Sequence, residues 1–184
     1  LTNMYQEQNA DNRAVLSMFR LGMEKDWLTR ESEYMEYADM ALEAGSPAEA
    51  QKAYEAAVAK NLVTKGERSE RIRTQSKQLA AEDKKLIAGL DKEAKAGKNG
   101  EADVKVGLAY LGLGDNQKAL EAIQRGLQPE RVGKVKRVDE AQMMLGLAQL
   151  RLGNKAEAAK AFEEAKKDPR MAKAADLWLK LAAT

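Results

Sequence analysis

The chain has 184 residues, 44% hydrophobic and 33% charged, and its 31 basic and 29 acidic side chains leave a formal charge of +2 with the two signs interspersed. It contains no cysteine and no histidine, which excludes disulfides, thiolate metal sites, imidazole catalysis and the usual histidine-based zinc or iron sites, so neither a metal nor a cofactor is expected. The charge balance makes no case for nucleic acid or an anionic membrane, and no apolar run approaches the ~20 residues of a membrane span, so direct membrane insertion is not expected.

Only 5% of the residues are aromatic and three are proline, and the bias to Ala, Leu, Glu and Lys favours helix almost throughout. The first predicted unit holds Met4 and Tyr5, a polar turn from Gln8 to Asn12, and a returning helix carrying Ala14, Leu16, Met18 and Leu21. From Glu33 to Ala44 the residues Tyr34, Tyr37, Ala38, Ala41 and Leu42 recur at helical spacing up to Gly45. Ser46 then reads as an N-cap and Pro47 as the first residue of the next helix, whose inner stripe is Ala50, Ala53, Tyr54, Ala57 and Val58.

A middle hairpin is expected over residues 70–80 and 82–96, from spacing as much as from residue types. Beyond it, 101–113 turns at Gly114 and Asp115 into 117–127, and 140–152 turns at Gly153 and Asn154 into 156–167. Those last two hairpins nearly repeat: Val106-Gly107-Leu108-Ala109 returns as Leu145-Gly146-Leu147-Ala148, and Gly107 and Gly146, like Ala119 and Ala158, are 39 residues apart. Such a period is the mark of a solenoid whose units bury their apolar faces against neighbours. Met171, Ala175, Leu177, Trp178 and Leu181 mark a terminal helix that covers the last unit.

Leu-Gly, a downstream aromatic, a turn Gly, then Ala, an aliphatic or aromatic, Ala and a late Pro recur here. They do so as Gly107, Tyr110, Gly114, Ala119 and Ile123, with Gly126 for the second Ala, and as Gly146, Gly153, Ala158, Phe162, Ala165 and Pro169, with Gln149 for the aromatic. Tyr34, Ala38, Gly45, Ala50, Tyr54 and Ala57 make a third set, and Tyr5, Ala14 and Met18 suggest a fourth. This pattern resembles the tetratricopeptide repeat. The middle unit departs from it, with Thr74 and Leu86 where Gly and Ala are wanted.

The resemblance implies an all-α, right-handed α-α superhelix (solenoid) of about five hairpins plus a C-terminal capping helix. The whole chain reads as a single repeat domain, with units at about 1–29, 31–63, 67–97, 100–130 and 139–169 and the cap at 170–183. Gly107 and Gly146 are expected to face Ala119 and Ala158 across their hairpins.

The family lays partner segments in a concave groove lined by the first helix of each pair. Transferred to this chain, that groove carries Arg68, Arg71, Gln75 and Gln78, then Val104, Leu108 and Leu111, then Met143, Leu147, Leu150 and Arg151. A peptide with a carboxylate and hydrophobic side chains would complement it. The opposing reading is that the apolar members are simply core, because their helices are apolar around most of their circumference, and that the arginines are a solvated face. The family's clamp for acidic chaperone tails is not expected. Its positions carry Met35 and Asp39, or Arg71 and Gln75 followed by Lys105, Glu140 and Met144, an incomplete set with an acidic residue where a cation is needed.

The functional expectation is a non-enzymatic scaffold that binds a peptide segment or partner protein. The alternative is a self-association or assembly adaptor, with a homodimer as its simplest form, using the apolar groove or an open N-terminal end with Leu1, Met4, Met18 and Leu21. A basic connection holding Pro129, Arg131, Lys134, Lys136 and Arg137 is read as a solvated linker, with phosphate or an acidic partner as the other reading; Glu163, Glu164 and Asp168 are read as ion-pairing residues.

The run from Gly22 to Trp27-Leu28-Thr29, the Ala-rich hairpins and the closing Pro169 and Ala174 to Leu179 resemble the bacterial repeat proteins that accompany energy transduction and transport in the Gram-negative envelope. That resemblance implies a periplasmic location, with the cytoplasm as the alternative. A chain beginning at Leu1 rather than Met also reads as part of a longer or processed protein.

Overall fold

The structure is a computed structural model that describes residues 10–183; Met4, Tyr5 and the opening of the first unit lie outside the described residues. Among the described residues all regular structure is helical. The chain divides into two compact units, the first ending at Lys85 and the second beginning at Leu86.

In the first unit, α1 (Asn12–Glu24) starts where the Asp11 carboxylate accepts from the backbone N–H groups of Arg13 and Ala14, at 3.0 and 3.2 Å. Two of the orphan donors of the first turn are thereby satisfied. Its stripe of Leu16, Met18, Phe19 and Leu21 is buried, so Met18 and Leu21 are not the open end that self-association would need. The pair α2 (Glu31–Glu43) and α3 (Pro47–Ala59) forms a hairpin closed by Gly45 at φ 73°, a left-handed conformation that glycine adopts without steric cost.

Tyr34, Tyr37, Ala38, Ala41, Ala50, Ala53 and Ala57 fill the hairpin's core, and the ring of Tyr37 stacks on Phe19 at 5.7 Å. Val58, expected on the inner stripe, is 48% exposed; with Ala53 and Ala57 already turned inward, the next position rotates outward on a 3.6-residue period. Ser46 does precede the helix and Pro47 does open it, but Ser46 makes no capping bond. Three residues on, Glu49 accepts from Arg20 Nε at 2.6 Å, Arg20 Nη2 at 2.8 Å and Tyr37 Oη at 2.6 Å. Burial alone would raise the Glu49 carboxyl, but the charge and hydrogen bonds of Arg20, with those of Tyr37 and Ser46, hold it below its ordinary value.

The expected middle hairpin is a single helix: α4 runs without interruption from Glu67 to Ala96. Between Leu79 and Lys84 stand only Ala80, Ala81, Glu82 and Asp83, with no Gly, Pro or Asn to favour a turn over continued helix. Its buried positions Ser69, Ile72, Ser76, Ala80, Ile87, Asp91 and Ala94 form a narrow stripe at helical spacing.

In the second unit, α5 (Gly100–Leu113) and α6 (Asn116–Gly126) close at Gly114, and α8 (Val138–Arg151) and α9 (Lys155–Lys166) close at Gly153, both glycines with positive φ. A short helix, α7 (Pro129–Val132), lies in the connection between the hairpins. Small residues set the separation of the paired helices, and Gly107 faces Ala119 as expected, with a larger side chain closer still. A side chain on Gly107 would meet Ile123 first and then the Ala119 carbonyl at 3.1 Å; one on Gly146 would meet the Phe162 ring first. Ala119 supplies close backbone, while Ile123 and Phe162, each one turn beyond the alanine, occupy the glycine notches. The last helix, α10 (Ala172–Ala182), packs on α9, with Trp178 fully buried and stacked on Phe162 at 5.5 Å.

Candidate interaction clefts

On α2, Glu36, Asp39, Met40 and Glu43 follow i, i+3, i+4, i+7 spacing and so share one face. The start of α4 presents Arg68, Arg71 and Gln75 to the same region. Arg68 donates to Asp39 at 2.9 Å and to Glu36 at 3.0 Å, and Arg71 donates to Asp39 at 2.7 Å. Burial by itself would lower the Arg68 pKa, but its bonds to Glu36 and Asp39 prevail and raise it. Between the two rows lies a cleft of 430 Å³, with Met40 and Leu42 among its lining and Asn12 at its edge. Three of the sequence-derived polar candidates thus come together. Gln78 instead donates to Glu82 at 3.0 Å along the exposed face of α4.

The remaining candidates lie in the second unit. Val104, Leu111, Met143 and Leu147 are buried within it, with 0 to 5% exposure. Leu108 and Leu150 are half-buried, and Arg151 is exposed and reaches the Leu111 carbonyl at 3.4 Å. Along α5 and α8, then, the first four side chains are enclosed as they stand, and surface is offered by Leu108, Leu150 and Arg151.

Sequence reading missed a charge network at the base of this unit. Asp103, fully buried, accepts from Arg125 Nε at 2.6 Å and Arg131 Nη1 at 2.7 Å. Arg125 also bonds Asp91 at 2.8 Å, and Lys95 bonds Asp91 at 2.8 Å. Burial would raise the Asp91 carboxyl, but Lys95 and Arg125 overcome this and lower it. Arg131 further donates to the Ala94 and Lys95 carbonyls at 3.3 Å each, two of the acceptors that the end of a helix leaves unpaired. A carboxylate on the inward stripe of α5, beside Val104 and Val106, was the available signal, since an acid at such a position implies a buried cation.

The network changes the reading of the basic connection. Arg131 is turned inward, and Arg137 is engaged by Asp139 at 2.6 and 2.8 Å. Lys134 and Lys136 stay exposed. A second cleft, of 510 Å³, opens beside the network, with Lys98, Arg125 and Arg131 facing Glu121 and Glu130 across its lining. Elsewhere, Glu164 pairs with Lys167 at 2.6 Å, and Asp168 is held at about 2 by hydrogen bonds from Arg170. Among the described residues no group of acidic side chains is disposed to hold a metal, and no helix is long and apolar enough to cross a membrane.

Antiparallel helix pairs closed by left-handed glycines, packed within each pair through small-residue notches and covered by a terminal helix, define a protein of the helical-hairpin repeat class. The tetratricopeptide repeat model matches residues 104–172, a stretch that takes in most of α5 and all of α6 to α9. This supports a tetratricopeptide repeat protein, and such repeats generally mediate protein–protein interactions. Comparison with curated proteins and with solved structures gives no match.

Proposed function

We propose that this chain is a non-enzymatic scaffold that binds a peptide segment or partner protein along the first helices of its hairpins. The observation that carries the reading is the tetratricopeptide match over residues 104–172, seated on two stacked hairpins. The open surface on those helices supports it: the cleft beside α2, and Leu108, Leu150 and Arg151 on α5 and α8. Selection of ligands from a displayed random-peptide library tests it, with bound peptides mapped by amide shifts. The expected result is a family of peptides for each unit's surface, those mapping to the first unit lost in a folded Arg71→Glu variant and those mapping to the second lost in a folded Leu108→Glu variant. A library that yields no ligand for the folded protein overturns the proposal.

Self-association is a second reading, favoured by Leu86 and Leu90, which stand one turn apart on α4 at 60% and 48% exposure. Two large apolar side chains left to water on one face would be covered by a second copy of the chain. Sedimentation over a concentration series decides it: a strict monomer whose behaviour is unchanged by Leu86→Glu excludes this reading.

A further inference from the structure

The cleft between α2 and the start of α4 has a charge character opposite to the one its arginines announce in the sequence. Asp39, 19% exposed, lies between Arg68 and Arg71 and accepts from both, while Glu36 takes a second bond from Arg68. Both guanidinium groups are therefore already paired with carboxylates of their own chain, Arg68 through Nε and Nη2 and Arg71 through Nη2. Glu43 lines the same cleft and has no ion pair with any described residue. Counting both rows, three carboxylates meet two cations, with Met40 and Leu42 supplying apolar surface between them.

A carboxylate entering this cleft would share Arg68 and Arg71 with Asp39, which already accepts from both, and would face Glu36 and Glu43 as like charges. A cation meets the reverse situation, with Glu43 available and Glu36 only shared. We infer that this cleft docks a partner segment carrying a lysine or arginine next to apolar side chains, the cation against Glu43 and Glu36 and the apolar groups over Met40 and Leu42. The inference rests on the scaffold reading above and specifies its ligand at this one cleft.

Two capped peptides test it on the whole chain: one alternating lysine with leucine, the other alternating glutamate with leucine. The lysine peptide should shift the Met40 methyl and Glu43 amide signals, and added salt should weaken it, because exposed pairs are screened beyond about 8 Å at physiological ionic strength. Glu43→Gln should reduce its affinity about two- to fivefold, and adding Glu36→Gln should reduce it by a similar factor again. The glutamate peptide should leave the Met40 signal in place.

A glutamate peptide that shifts Met40 as strongly, silence from both peptides at the cleft, or lysine-peptide binding indifferent to both substitutions would each overturn the inference. Circular dichroism of the two variants shows that they remain folded. Library-selected ligands that all map away from α2 would sink this inference and leave the scaffold reading standing, whereas the absence of any library ligand would sink the scaffold reading itself.

Discussion

Gly146 and Gly89 show how differently one missing methyl group can act. A Cβ on Gly146 would fall 2.6 Å from Phe162 Cδ1 and 2.8 Å from Cζ, and that ring cannot retreat because Trp178 is stacked against it. Gly146→Ala should therefore cost about 1–3 kcal/mol through overpacking, read as a lower denaturation midpoint. Gly89, inside α4, has nothing within 4 Å of the same position, so Gly89→Ala should gain up to about 1 kcal/mol from helix propensity. Equal effects at the two sites would contradict the packing described. Glu49 makes a pH-dependent contribution. Its folded-state pKa lies below the ordinary value of 4.5, so the unfolded chain binds the proton more readily. The stabilisation is complete above that value and is lost as pH falls through the lowered pKa. Asp83 acts with the opposite sign, since burial and then Glu82 raise its carboxyl. Denaturation midpoints followed from about pH 6 to about pH 3 should fall, and Glu49→Gln should flatten the lower part of that curve.

The continuity of α4 makes its own prediction at the level of the element. Ala81 is exposed and mid-helix, so Ala81→Pro should remove a backbone hydrogen bond and cost about 3 kcal/mol, with a measurable loss of helical circular dichroism. A turn at this point would tolerate the substitution. The three hairpins were legible because Gly45, Gly114 and Gly153 do something only glycine does readily, taking positive φ at a helix end. Where no such residue stood, at 80–83, repeat spacing alone suggested a turn that local propensity does not provide. The inward faces of α5 and α8 were legible as apolar, but apolarity reads the same whether a groove or a neighbouring helix covers it. Val104 and Leu147 are enclosed and Leu108 is not, a distinction that depends on which helix lies opposite. The partners of Arg68, Arg71 and Arg131 were illegible for a related reason: Asp39 lies 29 and 32 residues from the first two, and Asp103 lies 28 from the third. Pairing at that range is decided by hairpin register.

At the scale of the whole molecule, each unit has its own aromatic anchor, and the second depends on its terminal helix. Trp178→Ala should cost about 3–5 kcal/mol, as expected for emptying a fully buried aromatic site. Removing residues 170–184 should lower the midpoint at least as far or reduce solubility, because the faces of Ala161, Phe162 and Ala165 would meet water. A truncated chain that stays monomeric with an unchanged midpoint would contradict the covering role of α10. The positions of the tryptophans also have a spectroscopic consequence. The chain has two: Trp27, 54% exposed in the first unit, and Trp178, 0% exposed in the second. Emission from Trp27 should lie to the red and be readily quenched by acrylamide, while that from Trp178 should lie to the blue and be shielded. In a Trp27→Phe background, fluorescence would then report on the second unit alone, so the chain already carries the optical labels needed to ask whether its two units melt together or in turn.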